Sequence, residues 1–345
     1  MPTDPAGAGP GTAAAHPDPV RLRRALRAHV EAGLHRPYTQ ATVLEALAGL
    51  DLEVSQGVAL SSVTAVVRGA RPGPVVLLQA GLDDLSTAAL VGAARILTRH
   101  RVPAGSVVLL LPPGEEDGSD AGRVIGRRVV QAAGTAPSES YTFHGRSDDR
   151  VQGIFRSRAG TVMGATDTFS VIVRSMSDRN RLPVAARIIT ALEAMTTRRS
   201  GRVDPVTITT LAMAPDNRLS GTVVTFSEDI RTRTRLEISQ LCTTIAQAYG
   251  MTAEVAFSGG RPTTLNDAAA CEFVVGVVGE TLGPRRFEPL PAPIVPAGDV
   301  CRVLAEVPGC HVFVDAAATD DAILADASLV LAEVARRSLE RLTAG

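Results

Sequence analysis

The chain has 345 residues, of which 45% are hydrophobic and 21% are charged, and this composition excludes a disordered chain. Its 35 basic and 36 acidic residues give a formal net charge of -1, and only 3% of the residues are aromatic, which argues against a nucleic-acid-binding surface. All 35 basic residues are Arg, so catalysis through a lysine Schiff base is excluded.

Residues 1–18 are rich in Pro, Gly and Ala and predict a flexible tail. They lack the basic and apolar regions of a signal peptide. No apolar run in the chain approaches the ~18 residues of a membrane span. We therefore expect a soluble cytoplasmic protein that has neither a membrane nor a nucleic acid as a partner.

Helical and strand patterns alternate after the tail. An apolar stripe at Leu22, Leu26, Val30 and Leu34 predicts a first helix that begins near Val20. The continuous apolar runs PVVLLQAG and SVVLLLPP are typical of strands covered on both faces. The other elements predicted are helices at 39–50, 86–100, 120–133, 267–281, 299–306 and 322–342 and strands at LEVS, SSVTAVVRG, SYTF and CHVFVD. This alternation predicts an α/β domain with a mostly parallel central sheet.

Between Thr166 and Phe257 the pattern changes to strand, helix, strand, strand, helix, strand. This β-α-β-β-α-β order is that of a ferredoxin-like unit. We therefore predict that residues 164–260 form an α+β domain inserted into an α/β domain made of residues 19–163 and 261–345.

Four cysteines, Cys242, Cys271, Cys301 and Cys310, form neither a CxxC pair nor a zinc-ribbon spacing. We expect reduced, buried thiols, and a Cys301–Cys310 disulfide is the alternative. His311, beside Cys310 in a predicted strand, is interpreted as a core or edge histidine rather than a catalyst.

Acidic residues and one histidine follow the predicted buried strands. Asp83 and Asp84 follow PVVLLQAG, Glu115 and Glu116 follow SVVLLLPP, and His144 follows SYTF. Ligands of open α/β sheets bind beyond the carboxyl ends of the strands, so these side chains are candidates for a divalent metal site or for acid–base catalysis. The alternative is that they belong to solvated loops.

The order of motifs resembles a known family. RGARPGPVVLLQAGLDDL, TAALVGAARIL, GSVVLLLPPGEEDG, GTVVTFSEDIR, GRPTTLND and VPGCHVFVD are similar to stretches of the zinc-dependent aminoacylase, hippurate hydrolase and indole-acetyl-amino-acid hydrolase family, a group of metallopeptidase-like amidohydrolases. The resemblance covers almost all of residues 20–342. It implies a catalytic α/β domain with an inserted ferredoxin-like domain that serves as a lid or for dimerisation, and hence a homodimer.

The chain departs from that family where the metal ligands lie. The family's His-x-Cys-Gly-His-Asp stretch is absent, because LDDLS runs directly into TAALVGAARIL. The loop that reads Gly-Gly-His-Gly-Ala in the family is RSMSDRNRLPV here, the C-terminal ligand histidine is absent from AAATDDAIL, and only Asp299 is kept of Gly-Ala-Glu-Asp-Phe. The resemblance therefore implies a degenerate member that uses no metal and no other cofactor.

The residues that still match the family are the candidate catalytic groups. Glu115 and Glu116 match the general base and a ligand carboxylate, His144 matches a ligand histidine, and Asp83 matches the aspartate beside the site. We predict that these four residues are catalytic. The predicted substrate-binding residues are Asp84, Arg174, Arg179, Arg181 and Asp299, because arginine matches the geometry of a substrate carboxylate.

Three functions are compatible with these residues. The first is a metal-independent acid–base enzyme that carries out a cyclisation, condensation, isomerisation or lyase step on an amide- or amino-acid-derived small molecule in bacterial specialised metabolism. The second is a non-catalytic binding or partner subunit. The third is a residual single-metal N-acyl-amino-acid hydrolase that uses Glu116, His144 and Asp83. We expect the first.

Overall fold

The computed structural model describes residues 18–58, 60–113, 129–146, 153–175, 180–199, 206–214, 218–295, 300–317 and 320–344. Its helices are α1 (Pro19–Ala28), α2 (Pro37–Leu47), α3 (Asp84–Arg99), α4 (Leu182–Arg199), α5 (Glu228–Ala248), α6 (Ala268–Leu282), α7 (Val300–Leu304) and α8 (Ala322–Ala344). Its strands are β1 (Glu53–Gln56), β2 (Val63–Arg68), β3 (Val75–Ala80), β4 (Ser106–Leu111), β5 (Glu139–Arg146), β6 (Ile154–Ser157), β7 (Gly160–Met163), β8 (Ala165–Arg174), β9 (Thr207–Met213), β10 (Arg218–Thr225), β11 (Thr252–Arg261), β12 (Thr264–Asn266), β13 (Phe287–Pro289) and β14 (Gly309–Asp315). None of the helices in the described ranges is both long and apolar enough to cross a membrane.

The largest sheet has eight strands in the order β1-β2-β4-β3-β5-β14-β6-β13. Its central strands β4, β3, β5 and β14 are parallel to their neighbours within this group. Every residue of β3, β4 and β14 is buried, which explains why these strands are continuous apolar runs rather than alternating ones. The prediction of an α/β domain with a mostly parallel central sheet is confirmed.

The two faces of this sheet contribute to different cores. Side chains such as Leu78, Leu109 and Val312 point to the first face and pack with α1, α2, α3, α6 and α8 in the largest core. The intervening residues, such as Leu77 and Val108, point to the second face and form a smaller core. The first face is therefore mostly apolar along the central strands, with the buried Glu139 of β5 as an exception.

A second sheet has four antiparallel strands in the order β11-β8-β10-β9. Buried and half-buried residues alternate along β8, as expected for a sheet with one packed face. Its packed face forms a separate core with α4 and α5, which includes Phe169, Ile188 and Ile238. The chain order of these elements is the β-α-β-β-α-β order predicted from the sequence.

Some local predictions are wrong. The first helix ends at Ala28 instead of continuing through Val30, which is 83% exposed. The chain turns through Gly33, whose φ is +77°, and Leu34 then packs in the second-face core, whereas Leu22 packs in the first-face core. The apolar stripe read from the sequence therefore joins residues that belong to two cores.

The short strands β6, β7 and β12 were not predicted. Each has three or four residues, which is too few for a periodic pattern, and each forms by pairing with strands distant in sequence. Most of the helix predicted at 120–133 lies outside the described residues, although residues 129–133 are helical.

All four cysteines are buried free thiols, as expected. Cys310 hydrogen bonds with Cys271 rather than pairing with Cys301, so the alternative disulfide is not formed. Burial raises the pKa of the Cys310 thiol, and the hydrogen bond from Cys310 lowers the pKa of Cys271 to about 7.

Asn266 connects the strand that follows the four-stranded sheet to the central sheet. Its side chain is 4% exposed, and its Oδ1 accepts a hydrogen bond from the His311 backbone N–H at 2.7 Å. Its Nδ2 donates to Ser157 Oγ at 2.9 Å and to the carbonyls of Arg158 and His311 at 2.9 and 3.1 Å. One buried amide therefore joins β12, β14 and the end of β6.

We predict that Asn266→Ala lowers the free energy of unfolding by at least about 2 kcal/mol, because it leaves several buried polar groups without partners. Urea unfolding of the full chain measures this difference. The neighbouring Leu265 is 50% exposed, so Leu265→Ala is a matched control that changes the free energy by no more than about 0.5 kcal/mol. An equal loss in the two variants would contradict a specific role for the amide.

Candidate functional site

The carboxyl ends of β3, β4, β5 and β14 lie at one edge of the sheet, which we call the rim. The parallel registers place Ala80 of β3 beside Phe143 of β5 and place His144 beside Phe313 of β14. Ligands of such sheets bind at this edge. Of the predicted site residues, Asp83, Asp84 and His144 belong to β5 or to the segment after β3, whereas Glu115, Glu116, Arg179 and Asp299 lie outside the described residues.

Asp83 is held by hydrogen bonds within the protein. It is the N-cap of α3, where its Oδ1 accepts from the Ser86 backbone N–H at 2.7 Å. Its Oδ2 accepts from Ser86 Oγ at 2.5 Å and from the Gly145 N–H at 3.1 Å. Ser86 Oγ also accepts from the Gly145 N–H at 2.8 Å. Asp83 therefore begins the helix after β3 and fastens it to the end of β5.

Two glycines make this close arrangement possible. A Cβ at Gly81 would lie 2.6 Å from Asp83 Oδ2 and 2.9 Å from His144 Nδ1. A Cβ at Gly145 would overlap the Asp83 carboxylate. The absence of side chains at both positions lets the carboxylate and the imidazole approach the backbone of β3 and β5.

Asp84 is engaged in ion pairs with α1. Its Oδ2 accepts from Arg23 Nε at 3.0 Å and from Arg27 Nη2 at 2.6 Å. The Arg23 side chain is only 3% exposed, and a buried guanidinium needs such a partner. The structure thus gives Asp84 a role in fixing α1 beside α3, and its contact with a substrate stays a prediction.

The predicted arginines of the four-stranded sheet are at its surface. Arg174 lies at the end of β8 and forms a bidentate pair with Glu254, at 2.8 and 2.9 Å. The carboxylate is the largest cause of a raised pKa of Arg174. Arg181 is exposed, and its carbonyl accepts from the first turn of α4. Neither contact joins these side chains to the rim.

His144 is half-buried at the rim, as Asp83 and Asp84 are. Its ring centroid lies 5.8 Å from that of His311 and 5.9 Å from that of Phe313. His311 is 1% exposed, and burial, with a smaller contribution from His144, lowers the pKa of His311 to about 3. His311 is therefore a neutral core histidine, as interpreted from the sequence, and it lies below His144.

Sequence reasoning missed a charged cluster at the same edge. Asp315 is fully buried at the end of β14 and pairs with Arg146 Nε and Nη2 at 2.7 and 3.0 Å. It also accepts from Arg156 Nε at 2.6 Å. Arg146, on the same side of β5 as His144, has a side chain 33% exposed. Residues 142, 144 and 146 are spaced by two and therefore share one face of a strand. This spacing was the signal that could have placed Arg146 on the same face as His144.

The described residues do not fit a two-metal centre. They contain no group of three His, Cys, Asp or Glu side chains placed to hold a metal ion, whereas catalytic zinc sites use three protein ligands. The Asp83 oxygens accept three hydrogen bonds from protein groups. His144 has a second histidine beside it, but that histidine faces the interior.

Curated proteins with similar sequences are hydrolases of amide bonds by name. The thermostable carboxypeptidase 1 of Saccharolobus solfataricus is 25% identical over 85% of this chain and 84% of its own length. The N-acetyl-L-cysteine deacetylase of Bacillus subtilis is 24% identical over 93% and 88%. The IAA-amino acid hydrolase ILR1-like 4 of Arabidopsis thaliana is 23% identical over 86% and 76%.

Solved structures share the fold. The Bacillus subtilis YxeP protein, described as a dinuclear metal-binding peptidase of the M20 family, superposes with a TM-score of 0.73 at 22% identity and covers 94% of this chain and 98% of its own. The aminobenzoyl-glutamate utilization protein of Klebsiella pneumoniae gives a TM-score of 0.71 at 18% identity, over 93% and 96%.

A family model identifies the protein family of this chain. The model of peptidase family M20/M25/M40 matches residues 81–337, which is more than half of the chain and includes the rim. The resemblance to aminoacylases and related amidohydrolases is thereby confirmed. The chain belongs to peptidase family M20/M25/M40.

Proposed function

We propose that the chain is an acid–base enzyme that acts, without a two-metal centre, on a small molecule derived from an amide or an amino acid. The observation that carries the proposal is the different state of the rim residues. All three residues are half-buried, but Asp83 and Asp84 are held by hydrogen bonds and ion pairs, whereas His144 has ring contacts with His311 and Phe313 at the edge where ligands of this fold bind. Histidine is the side chain used most often in general acid–base catalysis.

The relatives support an amide- or amino-acid-derived substrate. Their names describe carboxypeptidases, N-acetylcysteine deacetylases and IAA-amino acid hydrolases, whose substrates share an amide next to a carboxylate. Arg146 lies on the same side of β5 as His144 and is paired with Asp315, and a guanidinium is suited to a carboxylate. The proposed site therefore contains a proton-transfer group and a cation.

In the proposed reaction, a ring nitrogen of His144 takes a proton from one substrate atom and returns it to another. Glu115, which follows β4 in the sequence, is proposed as its partner, with Glu116 beside it. Asp83 positions the strand end that carries His144, and Arg179 and Asp299 are proposed to contact the substrate. Such proton transfer is sufficient for a cyclisation, condensation, isomerisation or elimination, steps that occur in specialised metabolism. The buried free thiols are compatible with a cytoplasmic location.

We predict that His144→Gln lowers turnover by at least ~100-fold, the lower end of the effect of a general acid–base residue, while the thermal midpoint stays unchanged. Mass spectrometry of a panel of N-acetyl-amino acids and their amides, incubated with the full chain, detects both hydrolysed and rearranged products. His100 is an exposed histidine at the end of α3, so His100→Gln is the matched control and keeps full turnover. Unchanged turnover in folded His144→Gln would leave the rim as a binding site only.

We also predict far less than one zinc ion per chain in protein purified without a chelator. The described residues offer no three-ligand group, and a catalytic zinc needs three protein ligands. Elemental analysis together with protein quantification measures the ratio. Two zinc ions per chain would contradict the proposal, and one tightly bound ion would favour the residual single-metal hydrolase instead.

We further propose a homodimer that pairs through the four-stranded sheet. Strands β11 and β9 form the two edges of this sheet, and an edge strand offers unpaired N–H and C=O groups to a second copy. Two-fold pairing is the commonest form of self-association. Light scattering is expected to give twice the chain mass of 35.9 kDa. The mass of a single chain over a wide concentration range would contradict this pairing.

A further inference from the structure

A row of polar side chains crosses the second face of the central sheet directly below His144. Gln79 of β3 is in register with Thr142 of β5, and Thr142 is in register with His311 of β14. We call these three residues the polar row. Thr142 precedes His144 by two residues and therefore shares its side of the strand, as the 5.8 Å between the rings of His144 and His311 confirms.

The polar row is buried but its side chains are not paired. Gln79 is 5% exposed, and Thr142 and His311 are each 1% exposed. Gln79 Oε1, Thr142 Oγ1 and both ring nitrogens of His311 have no hydrogen-bond partner within the part of the chain that the structure describes. Buried polar atoms in folded proteins are nearly always paired, so four unpaired atoms in one row require a reason.

The sheet does not need polar residues at these positions. On the same face, the next layer towards the amino ends of the strands contains Leu77 and Val108, and the register neighbour of Gln79 on β4 is Leu110. Apolar side chains therefore occupy β3 and β4 beside the row, whereas on β5 the buried Ser140 below Thr142 is also unpaired. Polar residues that reduce stability without pairing are typical of sites that bind something.

We propose that the polar row is the floor of the substrate site and binds an uncharged primary carboxamide (–CONH2) or ureido group of the substrate. This inference rests on the proposed function, because it assigns the polar group that lies beneath the reacting atoms at His144. A carboxamide supplies N–H donors for Gln79 Oε1 and a carbonyl acceptor for Thr142 Oγ1 or for the His311 N–H. Adjacent strands are about 4.8 Å apart, so one planar amide can contact side chains of two strands.

The polar row contains no charged side chain that could pair with a charged group of the substrate. The group that it binds is therefore uncharged. Gln79 and Thr142 are neutral side chains, and burial keeps the His311 imidazole neutral. A buried carboxylate or ammonium would lose its hydration without an ion-pair partner. The row therefore discriminates a carboxamide from a carboxylate of the same shape.

Isothermal titration calorimetry of the full chain with N-acetyl-L-glutamine, N-acetyl-L-glutamate and N-acetyl-L-leucine tests this discrimination. We expect N-acetyl-L-glutamine to bind at least about tenfold more tightly than the other two, which corresponds to one well-formed hydrogen-bonded group. Equal affinity for the three compounds, or no measurable binding of N-acetyl-L-glutamine, would overturn the proposal. Equal affinity is also the result expected if the row binds water alone.

Substitutions that keep the shape of the row separate binding from stability. Thr142→Val and Gln79→Met are each expected to reduce the preference for N-acetyl-L-glutamine by about tenfold. Their thermal midpoints without ligand are expected to stay equal or to rise, because an apolar group replaces an unpaired polar one. Leu77→Met, one position below the row on the same face, is the matched control and keeps the preference. Retention of the preference in both row variants would overturn the proposal.

The variant His144→Gln distinguishes this proposal from the proposed function. It is expected to lose turnover but to keep the preference for N-acetyl-L-glutamine. If it keeps turnover while the unsubstituted chain prefers N-acetyl-L-glutamine, the catalytic role of His144 fails and the role of the polar row stands. If it loses turnover while the unsubstituted chain binds the three compounds equally, the reverse holds.

Discussion

Burial of four parallel strands on both faces is the constraint on which the rest of this structure depends. Strands β4, β3, β5 and β14 have helices on both sides, and parallel neighbours need crossover connections that return the chain to the same end of the sheet. All four strands consequently end at one edge. The segments that follow them are brought together there although they are far apart in sequence, and this edge is where polar residues can reach solvent and a ligand.

Acidic residues at the strand ends can stabilise the rim or can bind a metal ion or a substrate. These two roles compete for the same carboxylate oxygens. Asp83 caps α3 and fastens it to β5, and Asp84 compensates the buried charge of Arg23. Both contacts use lone pairs that a metal ion or a substrate would otherwise need. Asp315 is used in the same way, because it orients Arg146 and Arg156. The described rim is therefore held together by its own charges.

The two faces of the sheet differ in how completely polar groups are paired. On the first face the central strands contribute mostly apolar side chains, and the buried Glu139 of β5 accepts hydrogen bonds from Tyr141, Ser338 and Arg341. On the second face Asn266 satisfies the backbone of His311 with a well-formed set of hydrogen bonds, whereas the His311 ring itself is unpaired. The polar row places four unpaired buried atoms on three adjacent strands, which lowers stability, although other described residues also have unpaired buried polar atoms. Sites that bind ligands are where proteins commonly accept such a cost.

The sequence by itself determined the fold class, the chain order of the long elements in both domains and the resemblance to the family. These properties follow from periodicity over many residues, from continuous apolar strands such as β3 and β4, and from motifs that extend along most of the chain. It also predicted a site at the strand ends with His144 as one of its residues, because strand ends in this fold meet at one edge.

Only the tertiary structure decided what each site residue does. The carboxylates of Asp83 and Asp84 look alike in the sequence, yet one is a helix cap and the other is an ion-pair partner of α1, because their neighbours come from β5 and from residues about sixty positions away. The polar row depends likewise on the register of three strands, which brings Gln79, Thr142 and His311 together. A local sequence pattern gives the period of a strand, but it does not say which residues lie beside it on the neighbouring strands. Those neighbouring residues decide the hydrogen bonds and the burial of each side chain.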